Sequence, residues 1–294
     1  MIVSASYKTD IPAFFGEWFR RRLAAGACDV ANPYGGKPFS VPLGSDAVDG
    51  FVFWTRNAGP FFDTLRGLRR SDRPFVVQFT ITDYPKALER ATIPADAAVL
   101  QIRELADAFG PRALVWRYDP IVFSTITPPA HHRAAFARLA MALEGAVDEA
   151  VVSFAHIYAK TRRNLEAAAR EYGFSWRDPE AAEKQALLGD LAAIAADHGI
   201  RLTVCGQPDL RVAGTFEARC IDAERLSDVA GTAVRALAKA HRKACGCWAS
   251  KDIGAYDTCP HGCAYCYAVR SRAAAKARHR NHDPAGSFLV DSGR

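Results

Sequence analysis

The sequence has no apolar run near the roughly 20 residues that a membrane-spanning helix needs. Its first residues carry no basic flank and only a short apolar stretch, so we expect no secretory signal and a soluble, cytoplasmic protein. No GxGxxG follows an early strand and no GxxxxGKS/T occurs, so dinucleotide binding and a Walker-type phosphate loop both lack support. The net charge of +6 permits an anionic substrate but does not require nucleic acid.

Short β-rich runs alternate with amphipathic helical runs along most of the 294 residues. The predicted strands are 1–6, 51–56, 75–82, 113–119, 151–158 and 201–206. The predicted helices are 12–26, 60–68, 95–109, 129–146, 160–172, 179–198 and 223–243. Most strands read as nearly continuous apolar runs, which is typical of parallel strands buried on both faces. The alternation therefore predicts an α/β fold with a parallel sheet.

Polar side chains gather near the carboxyl ends of the predicted strands. They include Ser4, Ser6, Lys8, Asp10, Arg56, Gln78, Arg117, Asp119 and Ser153. In a parallel barrel these ends surround one mouth, which holds the active site. We therefore predict a (β/α) barrel, TIM-like or partial, with an open doubly wound sheet as the alternative. Residues 1–244 would form the barrel body, and the cysteine-rich loop and helix of 245–294 would complete the same domain.

Seven of the eight cysteines lie in the last third of the chain. Disulfide frameworks belong to small secreted domains, so clustered cysteines in a chain of this size indicate metal or cluster ligands. The decisive segment reads CPHGCAYC from Cys259 through Cys263 to Cys266. Three thiolates can bind three irons of a [4Fe–4S] cube and leave the fourth open, whereas structural zinc takes four ligands. Zinc completed by His261 or Cys247, a purely redox or structural cluster, and incidental thiols remain as alternatives.

The spacing Cys-x3-Cys-x-aromatic-Cys, with Tyr265 at the aromatic position, resembles the hallmark of the radical S-adenosylmethionine (SAM) enzymes. The longer run CGCWASKDIGAYDTCPHGCAYCYA is similar to an uncharacterised family, DUF1848, whose C-terminal cysteines resemble that cluster site. The resemblance extends to IVSASYKTDIPAF, NPYGGKPFSV, VDGFVFWTRN and RYDPI. It implies that Cys259, Cys263 and Cys266 each bind one iron, that SAM binds the open iron, and that Tyr265 lies against the adenine.

The resemblance also implies a reaction. One electron from a cellular reductant, such as flavodoxin or ferredoxin, would cleave a C–S bond of SAM. The product would be a 5′-deoxyadenosyl radical or, with the other regiochemistry, a 3-amino-3-carboxypropyl group. Because the cluster loop of these enzymes follows the first strand, the resemblance implies a circularly permuted barrel in which Met1 begins the strand after a helix at 268–279. Ser4, Ser6 and Asp10 replace the Gly-Gly-Glu segment that usually holds the SAM amino group.

The remaining cysteines of the last third suggest a second site. Cys205, Cys220, Cys245 and Cys247 can form a closed set of thiolates, and we favour an auxiliary [4Fe–4S] cluster over zinc. Buried thiols without a metal are the alternative for Cys205 and Cys220. Arg56, Arg117 and Lys8 are candidates to hold a carboxylate or phosphate, and salt bridges to neighbours such as Asp119 are their alternative.

Three hypotheses about function follow. The first is a radical SAM enzyme that acts on an unidentified small anionic substrate. The second is an iron–sulfur electron-transfer or sensor protein without SAM turnover. The third is a zinc-stabilised nucleic-acid-binding protein. The basic run 270–280 could contact phosphates, as in DNA-lesion repair by spore photoproduct lyase, a radical SAM enzyme with the same cysteine spacing. Such runs are usually solvated helix faces, so nucleic acid is the weaker expectation.

Overall fold

Eight parallel strands form one sheet at the centre of the computed structural model, which describes residues 1–32, 35–239 and 245–290. The described strands are β1 (Ile2–Ser4), β2 (Ala27–Val30), β3 (Phe39–Pro42), β4 (Gly50–Thr55), β5 (Phe75–Thr80), β6 (Leu114–Ile121), β7 (Phe123–Ser124), β8 (Glu149–Phe154), β9 (Trp176–Arg177), β10 (Arg201–Val204), β11 (Thr215–Glu217) and β12 (Ser250–Asp252). The described helices are α1 (Ile11–Phe14), α2 (Gly16–Ala25), α3 (Phe62–Arg70), α4 (Ala95–Phe109), α5 (Pro129–Leu143), α6 (Ala159–Tyr172), α7 (Ala181–Asp197), α8 (Ala223–Ala230) and α9 (Arg272–Arg280).

The strands follow chain order across the sheet except at one edge. Their order is β11-β10-β8-β6-β5-β4-β1-β12, and each neighbouring pair is parallel. The last described strand thus lies beside the first, with Ile2 opposite Ser250 on one side and Gly50 on the other. The predicted α/β fold with a parallel sheet is confirmed. Among the residues that the structure describes, no pairing joins β11 to β12, and these two strands are the edges.

Both faces of the sheet are buried, as the apolar strands predicted. One face packs against the helices through alternate residues such as Val3, Phe53 and Val77. The intervening residues form a smaller core on the opposite face, together with Leu226 of α8; they are Ile2, Val52, Val76, Val115 and Val151. Two residues further along four of these strands, the same face becomes polar, with Ser4, Gln78, Arg117 and Ser153. The candidate sites lie at this polar, carboxyl edge.

Two predicted helices differ most from the observed ones. The helix predicted over 223–243 ends at Ala230, because Gly231 adopts a φ of +67° that terminates α8. Residues 231–239 are not helical, and 240–244 lie outside the described residues. The helix predicted over 12–26 is divided by Phe15, whose φ of −130° separates α1 from α2.

The C-terminal segment supplies one strand that the sequence did not reveal. β12 has three residues with a central lysine, which is too short and too polar to stand out as an apolar run. The helix expected at 268–279 is α9, which begins at Arg272. Ser271 is its N-cap, because the Ser271 side chain accepts a hydrogen bond from the Ala274 N–H. No helix within the described ranges combines the length and the apolar character needed to cross a membrane.

Candidate functional site

A buried carboxylate at the end of β12 fixes the strand that leads into the cysteine loop. Asp252 accepts hydrogen bonds from the hydroxyls of Ser4 (2.6 Å) and Ser6 (2.9 Å) and from the Tyr7 N–H (3.1 Å). The ammonium of Lys8 lies 3.3 Å from Oδ1 of Asp252, the oxygen that also accepts from Ser6. Ser4 and Ser6, predicted to bind SAM, thus donate to Asp252, and Lys8 is paired with the same carboxylate. These contacts tie β12 to the residues that follow β1.

The loop 259–266 is fastened by backbone hydrogen bonds to the segment that follows β5. The Ala264 N–H donates to the Leu88 carbonyl (2.8 Å), and the Ala91 N–H donates to the His261 carbonyl (2.9 Å). The base of the loop is closed where the Asp257 N–H donates to the Ala268 carbonyl (2.9 Å). The loop therefore lies over the carboxyl end of the sheet, which is where a parallel α/β sheet places its active site.

The three thiols of the loop share one poorly solvated environment. Burial raises the pKa of Cys263 to about 12 and also raises the pKa values of Cys259 and Cys266. Negative charge on Asp10, Cys266 and Cys263 raises the pKa of Cys259 further. Thiolates are the form that binds metal, so any thiolate formed here would need the positive charge of a bound cation to stabilise it.

His261 is engaged on both sides of its ring. Its Nε2 lies 2.8 Å from Oδ2 of Asp10, and its Nδ1 lies 3.3 Å from the Ala91 carbonyl oxygen. The same Asp10 accepts from the Arg56 N–H (2.8 Å) and from the Ala13 N–H (2.9 Å) at the start of α1. Asp10 thus caps the N-terminus of α1 and is also a partner of the loop. A His261 held in this way is not placed to complete a four-ligand zinc site.

A buried ion pair lies next to the aromatic residue of the motif. Nη1 of Arg56 lies 2.8 Å from Oε1 of Glu89, which is only 3% exposed. The hydroxyls of Tyr265 and Thr82 both donate to this carboxylate, and Nη2 of Arg56 donates to the Tyr265 oxygen. Burial lowers the pKa of Arg56, but the negative charges of Glu89, Tyr265 and the nearby cysteines together outweigh that effect, and the pKa lies well above its ordinary value. Glu89 was missed because no motif or period surrounds it in the sequence.

The second set of cysteines is also brought together. Sγ of Cys205 lies 3.4 Å from Sγ of Cys220. Side-chain hydrogen bonds link Cys220 to Cys247, and Cys247 to Cys245. Cys205 directly follows β10, Cys220 follows β11, and Cys245 and Cys247 precede β12. Three separate stretches of backbone thus converge at the carboxyl edge of the sheet, where the first set also lies.

Arg117 belongs to this second set. Its Nη1 donates to Sγ of Cys220 (3.1 Å) and to Oε1 of Gln78 (3.0 Å), and its Nη2 donates to Asp119 (2.7 Å). Asp119 also accepts from the Ser153 hydroxyl. Hydrogen bonds from Cys205 and Cys247, assisted by the charge of Arg117, hold the pKa of Cys220 well below its ordinary value. Arg117 is thus placed to favour a thiolate at Cys220.

Apart from Ser4, Ser6 and Lys8, which contact Asp252, the predicted site residues divide into two groups. Asp10, Arg56 and Tyr265 lie around the loop of Cys259, Cys263 and Cys266, while Arg117 lies with the other four cysteines. Over residues 1–32, 35–239 and 245–290, no group of three or more His, Cys, Asp or Glu side chains has the arrangement of an assembled metal site. Metal ligation by either set, and SAM binding, stay predictions.

Comparison with other proteins places the chain in one family. No curated protein matches the sequence. No solved structure matches it either. A family model described as a domain of unknown function, DUF1848, matches residues 2–268, a range that includes both sets of cysteines, and the chain therefore belongs to this family.

Proposed function

We propose that the protein is a radical SAM enzyme that holds a [4Fe–4S] cluster on Cys259, Cys263 and Cys266 and acts on a small anionic substrate. The observation that carries this proposal is the place of β12 beside β1. Strand β12, the cysteine loop and α9 are followed in space by β1, which reproduces the strand, loop, helix and strand order of a (β/α) barrel. The proposed fold is thus a permuted barrel whose chain begins after the cluster helix.

The donor set fits a cluster with one open iron. Thiolates are the ligands that iron–sulfur clusters take, and this loop offers three of them. Both residues considered as a fourth ligand are occupied elsewhere: His261 contacts Asp10 and the Ala91 carbonyl, and Cys247 contacts Cys220 and Cys245. The fourth position would therefore be open to an exogenous ligand.

A SAM-loaded cluster of this kind, when bound and reduced by one electron, supplies the reductive cleavage of a C–S bond of the sulfonium. The protein's own contribution is electrostatic and positional. The positive charge of Arg56 lowers the pKa of Cys263 against the raising effect of burial. The Arg56–Glu89 pair holds the guanidinium in place, and Tyr265 is fixed by its hydrogen bond to the same carboxylate. These contacts would hold the loop rigid while it carries a cluster.

Substrate contacts would come from the polar residues at the carboxyl edge of the sheet. The three cations predicted there are already paired: Lys8 with Asp252, Arg56 with Glu89, and Arg117 with Asp119. Each pair is mostly buried. An anionic substrate would therefore have to share a cation with its carboxylate partner. Because salt screens buried charges much less than exposed ones, we expect a strong dependence on ionic strength only for contacts between the substrate and charges at the exposed rim of the site.

The test uses anaerobically purified, iron-reconstituted protein. We expect a [4Fe–4S]⁺ electron paramagnetic resonance signal that changes when SAM is added, and release of 5′-deoxyadenosine or a carboxypropyl product. The variant Cys263→Ala should lose the signal and the products, whereas Cys28→Ala, a buried cysteine of β2 outside both sets, should keep them. A signal that ignores SAM, with no cleavage product, would favour the electron-transfer or sensor hypothesis. A colourless protein that binds only zinc would refute both iron hypotheses.

A further inference from the structure

We propose that Cys205, Cys220, Cys245 and Cys247 bind one zinc ion in a closed tetrathiolate site that fastens the two edges of the parallel sheet. This inference does not depend on the proposed radical SAM function. It replaces the auxiliary cluster favoured from the sequence, because the distance between two of the thiols distinguishes a single ion from a cube of four irons.

The sulfur spacing favours a single ion. Zinc–sulfur bonds of about 2.3 Å in a tetrahedron place neighbouring sulfurs about 3.8 Å apart. Sγ of Cys205 and Sγ of Cys220 lie 3.4 Å apart, close to that separation. In a [4Fe–4S] cube each thiolate binds a different iron, so the sulfurs are separated by the width of the cube. Two sulfurs in contact fit around one ion and do not fit around such a cube without moving apart.

The thiols also form a continuous group. Cys220 contacts both Cys205 and Cys247, and Cys247 contacts Cys245. Cys220 is 9% exposed and Cys247 is 4% exposed, so the centre of the group is shielded from solvent. Four protein thiolates with no position left for water are the ligand set of a structural zinc site.

Neighbouring residues supply the second layer that such a site needs. Four thiolates and Zn²⁺ together carry a charge of −2, and the guanidinium of Arg117 offsets part of this charge through its 3.1 Å contact with the Cys220 sulfur. Gln78 accepts from Arg117 and donates through Nε2 to the Cys220 carbonyl oxygen (3.1 Å). The side chain of Arg117 and the backbone of Cys220 are thus fixed by one buried amide.

The position of the group explains what the ion would do. Cys205 and Cys220 follow β10 and β11, and β11 is the edge strand on one side of the described sheet. Cys245 and Cys247 precede β12, the edge strand on the other side. A backbone hydrogen bond from Trp248 N–H to the Ile221 carbonyl (3.1 Å) already joins the same two segments. A metal cross-link between them would hold β12 in place and, with it, the loop that begins at Cys259.

The experiment measures metal in a variant that lacks the first set. The triple variant Cys259→Ala, Cys263→Ala, Cys266→Ala is purified without iron reconstitution, and its zinc and iron contents are determined by mass spectrometry. We expect one zinc per chain and no iron. Adding Cys220→Ala to this triple variant should remove the zinc, whereas adding Cys28→Ala should leave it. Zinc retained without Cys220, or a [4Fe–4S] absorption band in the triple variant, would overturn the proposal.

A measurement on the unaltered chain covers the case in which the variants do not fold. Zinc K-edge X-ray absorption of the wild-type protein should show four sulfur neighbours at about 2.3 Å. Nitrogen or oxygen in the zinc shell, or protein without zinc, would contradict a tetrathiolate site. Because zinc is measured apart from SAM cleavage, a failed radical SAM test leaves this result unaffected, and the reverse also holds.

Discussion

The two sets of cysteines reach the carboxyl edge of the sheet by different routes. The first set lies within the eight residues from Cys259 to Cys266, in one loop. The second set is drawn from the ends of β10 and β11 and from the segment before β12. A loop with three thiols can leave one coordination position open, whereas four converging thiols form a closed site. The first arrangement suits binding and chemistry, and the second suits the fixing of distant segments.

The two buried arginines also differ in how they act on their nearby cysteines. Arg56, near the first set, makes its main ion pair with Glu89 and acts on Cys263 through its charge. Arg117, at the second set, donates directly to the sulfur of Cys220. We interpret Arg117 as part of the second layer of a fixed metal site. Arg56 instead supports the loop through the Tyr265 hydroxyl, and among the described residues its hydrogen bonds go to oxygen and not to sulfur.

The largest expected difference is between Cys263→Ala and Cys220→Ala. Cys263→Ala should reduce SAM cleavage to background while changing the melting temperature little, because the loop keeps its backbone bonds to the segment after β5. Cys220→Ala should lower the free energy of unfolding by about 4 kcal/mol or more, as the loss of a structural metal does. Thermal melting and deoxyadenosine assays on both variants measure the two effects.

The same assays can disprove this division of roles between the two sets. If Cys220→Ala abolished SAM cleavage at full stability, the second set would take part in chemistry and the division of roles would be wrong. If Cys263→Ala unfolded the protein, the first set would be structural as well. Cys28→Ala is the matched control, since burial raises the pKa of Cys28 to about 12 and it lies outside both sets.

The sequence allowed a more specific prediction for the first set than for the second, for a physical reason. A short loop places its ligands by local spacing, so CPHGCAYC could be interpreted from the residues alone. The four other cysteines were recognised as a set, but whether they suit zinc or a cluster depends on sulfur distances that only the folded chain fixes. Helix α4 was predicted with its observed bounds because its apolar period is regular. Glu89 and β12 were missed because their importance comes from partners far away in the sequence.

Asp252 joins the two regions, so its replacement should affect both. β12 follows Cys247 and precedes Cys259, and Asp252 fixes this strand through Ser4, Ser6 and Lys8. Asp252→Asn would leave the buried ammonium of Lys8 without its counter-charge, and we expect a loss of about 3 kcal/mol in unfolding free energy.

Zinc and iron contents should both fall in Asp252→Asn, as measured by mass spectrometry after gel filtration. The double variant Lys8→Met, Asp252→Asn should recover part of the stability, because it removes both charges. Full zinc and iron occupancy in Asp252→Asn would show that β12 does not couple the two sets.

Arg117→Lys should weaken metal binding by the second set of cysteines and leave the first set unaffected. A lysine offers one point charge and cannot reach Cys220, Gln78 and Asp119 together as the arginine fork does. We expect zinc affinity to fall by about 10- to 100-fold, the usual cost of losing an outer-layer contact to a metal ligand. Competition against a zinc chelator measures this effect. Arg56→Lys is the matched control, and equal zinc loss in both variants would contradict the assignment of Arg117 to the second set.

Tyr265→Phe gives the smallest expected effect and separates the ring of Tyr265 from its hydroxyl. The hydroxyl donates to Glu89, which keeps Arg56 and Thr82 as partners, so we expect a loss of about 1 kcal/mol in unfolding free energy.

If the ring lies against adenine, the phenylalanine variant should retain SAM binding, whereas Tyr265→Leu should weaken it. Equilibrium dialysis with labelled SAM compares the two variants. Tyr267→Phe, which removes a partly buried hydroxyl that donates to the Tyr7 carbonyl, controls for the loss of one hydrogen-bonded hydroxyl. Equal SAM affinity in the Phe and Leu variants would exclude a stacking role, and the aromatic residue of the motif would then serve the Arg56–Glu89 pair alone.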